Sequence, residues 1–411
     1  MAFSNRAHRL FGYWRAERRT LRQGLVALVL STGASFVAGL TLSHITDTLS
    51  ALPGLLVLIP AAVGMRGTIF GAIGARLGTA TAAGIFETNL RRGGILAQNV
   101  EVSVISTFAS SLWLAALATL AASAFGEDTI SLWRMITISV VGGALGSVLI
   151  LLVTIGLSVL SFRRGYDLDA VSTPMVTAIG DMATLPTLFL ATFLTRNDTL
   201  NAVVAGLCVA ACMVSIARAW TTDQPMVRRI LLEMTAVIAL TPLLDILAGA
   251  LMQARLPGLE AMPGLLLLIP PFVSQAGALG GILSSRLSSK LQLGVITPRG
   301  RPETPALVDG TLVIGFGLVI FTMIGVIALW LSILTGLDHP PAGVMIGGTL
   351  LAGVFALPIT LVVAYELAIL TSRFGLDPDN HGVPIITSVM DLAGVACILA
   401  AMSLLGATVH G

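Results

Sequence analysis

Long apolar runs separated by short polar segments dominate this 411-residue chain. A bilayer core of about 30 Å needs roughly 20 consecutive apolar residues in a helix, and the runs have that length. Ten fall near 23–43, 51–80, 97–125, 132–160, 171–194, 231–253, 261–288, 309–335, 342–370 and 383–406, with one more between Leu200 and Trp220. Barrel strands would alternate polar and apolar positions over about ten residues, whereas these runs are continuous and rich in Leu, Ala, Gly and Val. The pattern predicts an all-α polytopic membrane protein with eleven spans.

The runs repeat. Pro53-Gly54-Leu55-Leu56-Val57-Leu58-Ile59-Pro60 returns as Pro263-Gly264-Leu265-Leu266-Leu267-Leu268-Ile269-Pro270, an offset of 210 residues. The same offset carries Arg76-Leu77 onto Arg286-Leu287, Asp167 onto Asp377, Asp169 onto Asp379, Pro174 onto Pro384, Thr177 onto Thr387 and Asp181 onto Asp391. So many matches without an insertion indicate duplication of a five-helix unit. The division is a basic N-terminal segment 1–22, a first repeat 23–194, a linker 195–229 holding the extra helix, and a second repeat 230–408. An odd number of spans per unit would invert the second copy, and the extra helix restores a parallel arrangement. Parallel repeats place a substrate path at their interface.

Charge tests this topology. Of the 23 Lys and Arg residues, all but Arg134, Arg196, Arg255 and Arg66 fall in segments on one side of the predicted membrane, the side of the N-terminus. The positive-inside rule makes that side cytoplasmic and leaves the C-terminus outside. The expected location is the plasma membrane. Arg6 to Arg22 precede the first run, which is too long for a signal peptide and lacks a small-residue cleavage site after it, so it reads as a first span with a cytoplasmic anchor.

Composition adds that only 11% of residues are charged, against roughly 25% in soluble domains. A net charge of +2 marks no nucleic-acid partner, so the expected partners are the lipid bilayer and the transported ion. Cys208, Cys212 and Cys397 lie inside apolar runs and read as small core residues. The longest internal hydrophilic stretch, Leu287 to Glu303, is too short to form a soluble domain.

Asp181 and Asp391 carry the chemistry. An ionisable residue within a span costs about 2.5–3.5 kcal/mol on insertion scales and marks a functional position by default. With fifth helices starting near Val171 and Val383, both aspartates come to mid-membrane depth, facing each other across a pseudo-two-fold axis. Two such carboxylates repel unless a cation lies between them. A hard divalent ion fits, Mg²⁺ best, because it keeps much of its hydration shell and needs no full protein cage. Thr177 and Thr387 lie one turn before the aspartates on the same face. The alternative is that each aspartate caps a broken neighbouring helix.

Asp167, Asp169, Asp377 and Asp379 precede the fifth helices on the cytoplasmic side. They read equally as N-caps and as an acidic mouth that concentrates cations. Pro60 and Pro270, each followed by glycines, are expected to interrupt the second helices, either freeing carbonyls as ligands or allowing close helix packing. Glu101, Asp309, Asp245 and Glu366 are further acids in the spans, without an acidic counterpart at the repeat offset. They are expected to pair with Arg66 or to serve coupling protons.

These residues resemble the MgtE-like magnesium transporters, especially their two-repeat archaeal and animal branch. The resemblance rests on Pro60-Ala61-Ala62-Val63-Gly64-Met65-Arg66-Gly67 before Ala75-Arg76-Leu77, on Gln275-Ala276-Gly277 with Ser285-Arg286-Leu287-Ser288, and on Asp-x-Asp ahead of Pro-x₆-Asp, present twice. It implies a fused five-helix dimer, plausible as a monomer, with the ion path on the shared axis and Asp181 and Asp391 holding Mg²⁺. The Gly-Asn pair common in the family's second helices reads Gly67-Thr68 and Gly277-Ala278 here, and no cytosolic sensor domain is expected.

The function so predicted is transport of a divalent cation, Mg²⁺ foremost, by a protein that is not an enzyme and has no cofactor, the metal being cargo. The competing readings are a proton-coupled carrier of another solute and an intramembrane aspartyl protease with Asp181 and Asp391 as its dyad. The protease reading lacks the expected motif, since Ala178-Ile179-Gly180 and Ser388-Val389-Met390 precede the aspartates.

Overall fold

The computed structural model describes residues 18–82, 85, 91, 93–126, 129–164, 168–375 and 381–407. Among them, eleven helices are long and apolar enough to cross a membrane, and no strand occurs. The first copy supplies α1 (Arg18–His44), α2 (Leu55–Ala82), α3 (Ile95–Ala124), α4 (Leu132–Arg164) and α5 (Leu168–Thr192), and the extra helix is α6 (Asp198–Thr221). The second copy supplies α7 (Pro225–Gln253), α8 (Pro263–Gln292), α9 (Thr304–Thr335), α10 (Ala342–Phe374) and α11 (Val383–Leu404). Each predicted span thus corresponds to one helix.

Local chemistry sets the helix ends. The Asn197 side chain accepts hydrogen bonds from the backbone N–H groups of Thr199 and Leu200, capping α6. Gly336 and Gly375 end α9 and α10 in the left-handed region, where a side chain would be strained. The prolines break nothing: α2 runs through Pro60 and α8 through Pro270 and Pro271 without interruption, contrary to the expected breaks. Each proline removes one backbone hydrogen bond, and the helices continue through them, enclosed by their neighbours.

The two copies exchange their first helices. Besides packing on its own fifth helix, α1 lies along α8 of the second copy, and α7 lies along α2 of the first. The crossings are pseudo-symmetric and depend on glycine. A methyl group at Gly249 would sit 2.7 Å from Cα of Val57, and one at Gly39 would sit 3.3 Å from Cα of Leu267 while overlapping its carbonyl oxygen. Gly39 and Gly249 are repeat equivalents, as are Val57 and Leu267. Without a hydrophobic drive between helices in lipid, such close backbone contact is what holds the copies together.

Around this centre, α3 and α4 pack on α2 and α5, and α9 and α10 pack on α8 and α11. The extra helix α6 leans on α3 and α4 at the periphery and leaves Val214 and Leu207 facing outward. The three cysteines are free and buried, as expected.

Because the obstacle at both crossings is backbone, Gly39→Ala and Gly249→Ala are expected to destabilise the protein by about 3 kcal/mol or more, the upper end for overpacking. Gly33→Ala, where no atom lies within 4 Å, serves as the control. Thermal melts followed by size-exclusion chromatography in detergent check the ranking.

Candidate functional site

One cavity of about 660 Å³ lies between the copies, lined by α1, α2, α5, α7, α8, α9 and α11. Its walls contain repeat-equivalent pairs: Pro60 with Pro270, Val63 with Val273, Gly64 with Ser274, Gly67 with Gly277, and Asp181 with Asp391. The pseudo-two-fold axis therefore passes through it. The two aspartates share this cavity, with Thr387 beside Asp391. Small side chains from the glycine-rich stretches of α2 and α8 make the space, so those glycines serve close approach and not unwinding.

The surroundings of the aspartates differ. Asp181 is buried, and its Oδ2 accepts hydrogen bonds from Ser35 Oγ of α1 at 2.9 Å and from Ser274 Oγ of α8 at 2.6 Å. Ser35 and Ser274 also meet each other at 3.2 Å. At the equivalent places around Asp391 stand Asp245, from the second copy, and Gly64, from α2 of the first. Asp245, from α7, is fully buried, and its carboxylate lies beside Asp391 and Ser388. A methyl group at Gly64 would lie 2.8 Å from Oδ2 of Asp245 and 3.2 Å from Oδ2 of Asp391, so both carboxylates crowd the same glycine. Among the described residues no donor makes a well-formed hydrogen bond to either oxygen of Asp245. Thr387 donates its hydroxyl proton to the Pro384 carbonyl at 2.9 Å, keeping its oxygen lone pairs.

Among the described residues, no three His, Cys, Asp or Glu side chains come close enough together to hold a bare metal ion. Asp181 and Asp391 line the same cavity, and Asp245 lies beside Asp391. Asp167, Asp377 and Asp379 lie outside the described residues. Asp169 and Thr177 are on α5, but their side chains are not described.

The remaining acids do not pair with Arg66. Glu101 binds Arg218 Nε at 3.0 Å and Gln224 Nε2 at 2.8 Å, tying α3 to the extra helix and its linker. Glu366 is exposed. Asp309, fully buried on α9, meets Arg286 at 3.0 Å and Lys290 at 2.5 Å, both from α8. Asp309 and Arg286 line the cavity toward the end of α8 that the charge pattern assigns to the cytoplasm. The first copy repeats this contact in neutral form, Arg76 Nε donating to Asn99 Oδ1 at 3.1 Å. Arg66 is buried away from the cavity, donates to the carbonyl of Ala62, and lies against Gly143 and Ser111. In the second copy the equivalents of Ala62 and Ser111 are Phe272 and Phe321, stacked at 4.7 Å. The expectation of an Arg66–acid pair fails because Arg66 points into its own copy, whereas Asp245 and Asp309 face the interface.

The roles of Ser35, Ser274 and Asp245 were missed in the sequence. The repeat offset held the signal: the counterpart of Asp245 is the polar Ser35, and the counterpart of Ser274 is the one residue small enough to admit two carboxylates.

Comparison with known proteins agrees with the duplicated architecture. The family described as MgtE, divalent cation transporter, matches residues 59–191 and 269–401, once in each copy. The chain is 24% identical over 410 residues to solute carrier family 41 member 3 of Rattus norvegicus, covering 92% of this chain and 86% of that protein. It is 25% identical to the Mus musculus protein of the same name, covering 90% of this chain and 79% of that protein. To solute carrier family 41 member 2 of Mus musculus it is 23% identical, covering 92% and 69%. No solved structure matches the chain.

Breaking one side of a buried ion pair typically costs about 3–5 kcal/mol, so Asp309→Ala is expected to destabilise by that order. Asp309→Asn, which installs the side chain the first copy carries, is expected to cost less than half as much. Melting temperatures of the two variants in detergent give the comparison.

Proposed function

Since the chain belongs to the MgtE family of divalent cation transporters, we propose that its cargo is Mg²⁺ and that the ion crosses through the cavity between the two copies, held near its middle by Asp181 and Asp391. The family is one of transporters and not of enzymes, so the aspartyl-protease reading is set aside. The observation that carries the proposal is that repeat-equivalent carboxylates from α5 and α11 line one shared cavity.

The chemistry follows from the donor set. Two carboxylates lining one cavity compensate the charge of a divalent ion without forming a tight cage. Mg²⁺ dehydrates reluctantly and commonly binds through one or two carboxylates plus retained waters. Thr387, and Thr177 in the first copy, are hydroxyl partners for those waters. Asp167, Asp169, Asp377 and Asp379 form an acidic mouth that raises the local cation concentration. The distribution of Lys and Arg supports a cytoplasmic N-terminus and an external C-terminus in the plasma membrane. Fusion of the two copies supplies both halves of the path within one chain, which supports a monomer.

Purified protein in liposomes containing a Mg²⁺-sensitive dye is expected to take up Mg²⁺. Asp181→Asn and Asp391→Asn each lower the initial rate by about tenfold or more, a loss of roughly 1.4 kcal/mol or greater in ion stabilisation. The double variant falls to the rate of empty liposomes. Undiminished uptake by the double variant removes the aspartates from the path.

A further inference from the structure

The two halves of the cavity are unequal, and the inequality is chemical. On the first-copy side, Asp181 has its Oδ2 satisfied by the hydroxyls of Ser35 and Ser274. Around Asp391, the equivalents of those serines are Asp245 of the second copy and Gly64 of the first. Asp391 there receives no hydroxyl from either, and faces a second carboxylate across a bare glycine. Asp245 is 0% exposed; Ser388 and the Asp391 carboxyl stand beside it, but no donor among the described residues makes a well-formed hydrogen bond to either of its oxygens. A buried carboxylate without a cation is costly, and a second acid beside it adds repulsion. Nothing among the described residues on this side offers a compensating cation: Arg286 and Lys290 are engaged by Asp309, and Arg66 is turned into the first copy.

We propose that Asp245 is a third acidic member of the ion site, and that the divalent cation rests off the pseudo-two-fold axis, on the second-copy wall, between Asp245 and Asp391. This deepens the assignment of Asp181 and Asp391 to the path and rests on it. A single bare ion does not reach all three acids, since no three come within common ligand range. The paired acids form the stronger half of the site, and Asp181, quieted by its serines, the weaker. Ser388, beside Asp245, adds a neutral oxygen to the stronger half. Gly64 is the specificity element that leaves room for an ion where Ser274 fills the matching space in the other half.

The test is Mg²⁺ binding to detergent-purified full-length protein by isothermal titration calorimetry, with melting temperatures in Mg²⁺-free and Mg²⁺-containing buffer. Asp245→Asn is expected to raise the dissociation constant about tenfold or more, and by a larger factor than Asp181→Asn does. It also abolishes most of the Mg²⁺-dependent rise in melting temperature, and it leaves the Mg²⁺-free melting temperature unchanged or higher, because an unsatisfied buried charge is removed. Asp245→Ser, bearing the first copy's side chain, gives the same readout should the asparagine variant not accumulate. Unchanged affinity in either variant, while Asp391→Asn still weakens binding, overturns this inference and leaves the path assignment standing. A lower Mg²⁺-free melting temperature with unaltered affinity also overturns it, since Asp245 is then a packing residue. Loss of the path assignment itself has a different signature: Asp181→Asn and Asp391→Asn both bind Mg²⁺ as the parent does.

Discussion

Negative charge held between helices, where water cannot reach it freely, is the constraint around which this molecule is organised. Each acid in the spans demands compensation, because a lone carboxylate in a low-dielectric interior is among the most costly groups a fold can carry. Three solutions occur. Asp309 takes two cations from the neighbouring helix. Asp181 takes two hydroxyls, one from each copy. Asp391 and Asp245 have no cation and meet each other at Gly64, with Ser388 beside them. Only the last sets two acids against each other with no cation beside them, and it lies next to the cavity on the repeat axis, where the proposed ion would compensate it.

That axis exists because of the exchanged first helices. Had α1 packed only on its own copy, the second helices and the aspartate-bearing fifth helices would not be drawn into one centre. The exchange depends on backbone approach at Gly39 and Gly249, where a Cβ would strike the main chain of the opposite copy. Rigid small-residue contacts of this kind suit a binding cavity whose walls must keep fixed separations, since lipid offers no hydrophobic force to draw helices together.

Fusion of the copies has a further physical consequence. In a homodimer every residue appears twice, so a site on the axis is symmetric by necessity. A single chain is free of this, and here the freedom is used at matched positions: Ser35 against Asp245, Gly64 against Ser274, Asn99 against Asp309, and Ala62 and Ser111 against the stacked Phe272 and Phe321. The helical frame remains two-fold while its chemistry does not. The charged Arg66 belongs to the same divergence, filling with a guanidinium a region that the second copy fills with rings.

Much of this was legible in the sequence. Eleven spans, the duplication and the pair Asp181 and Asp391 follow from hydrophobic run length, a constant offset and the cost of burying charge, all of which are local or periodic properties. Tertiary structure decided the rest. That α2 and α8 pass their prolines unbroken depends on the packing around them, which no proline by itself reports. That Asp245 faces Asp391, and that Arg66 meets none of the acids among the described residues, depends on which face of each helix turns to the axis. The exchange of first helices sets those faces, and it is a contact between residues about 200 positions apart that run length and periodicity do not encode.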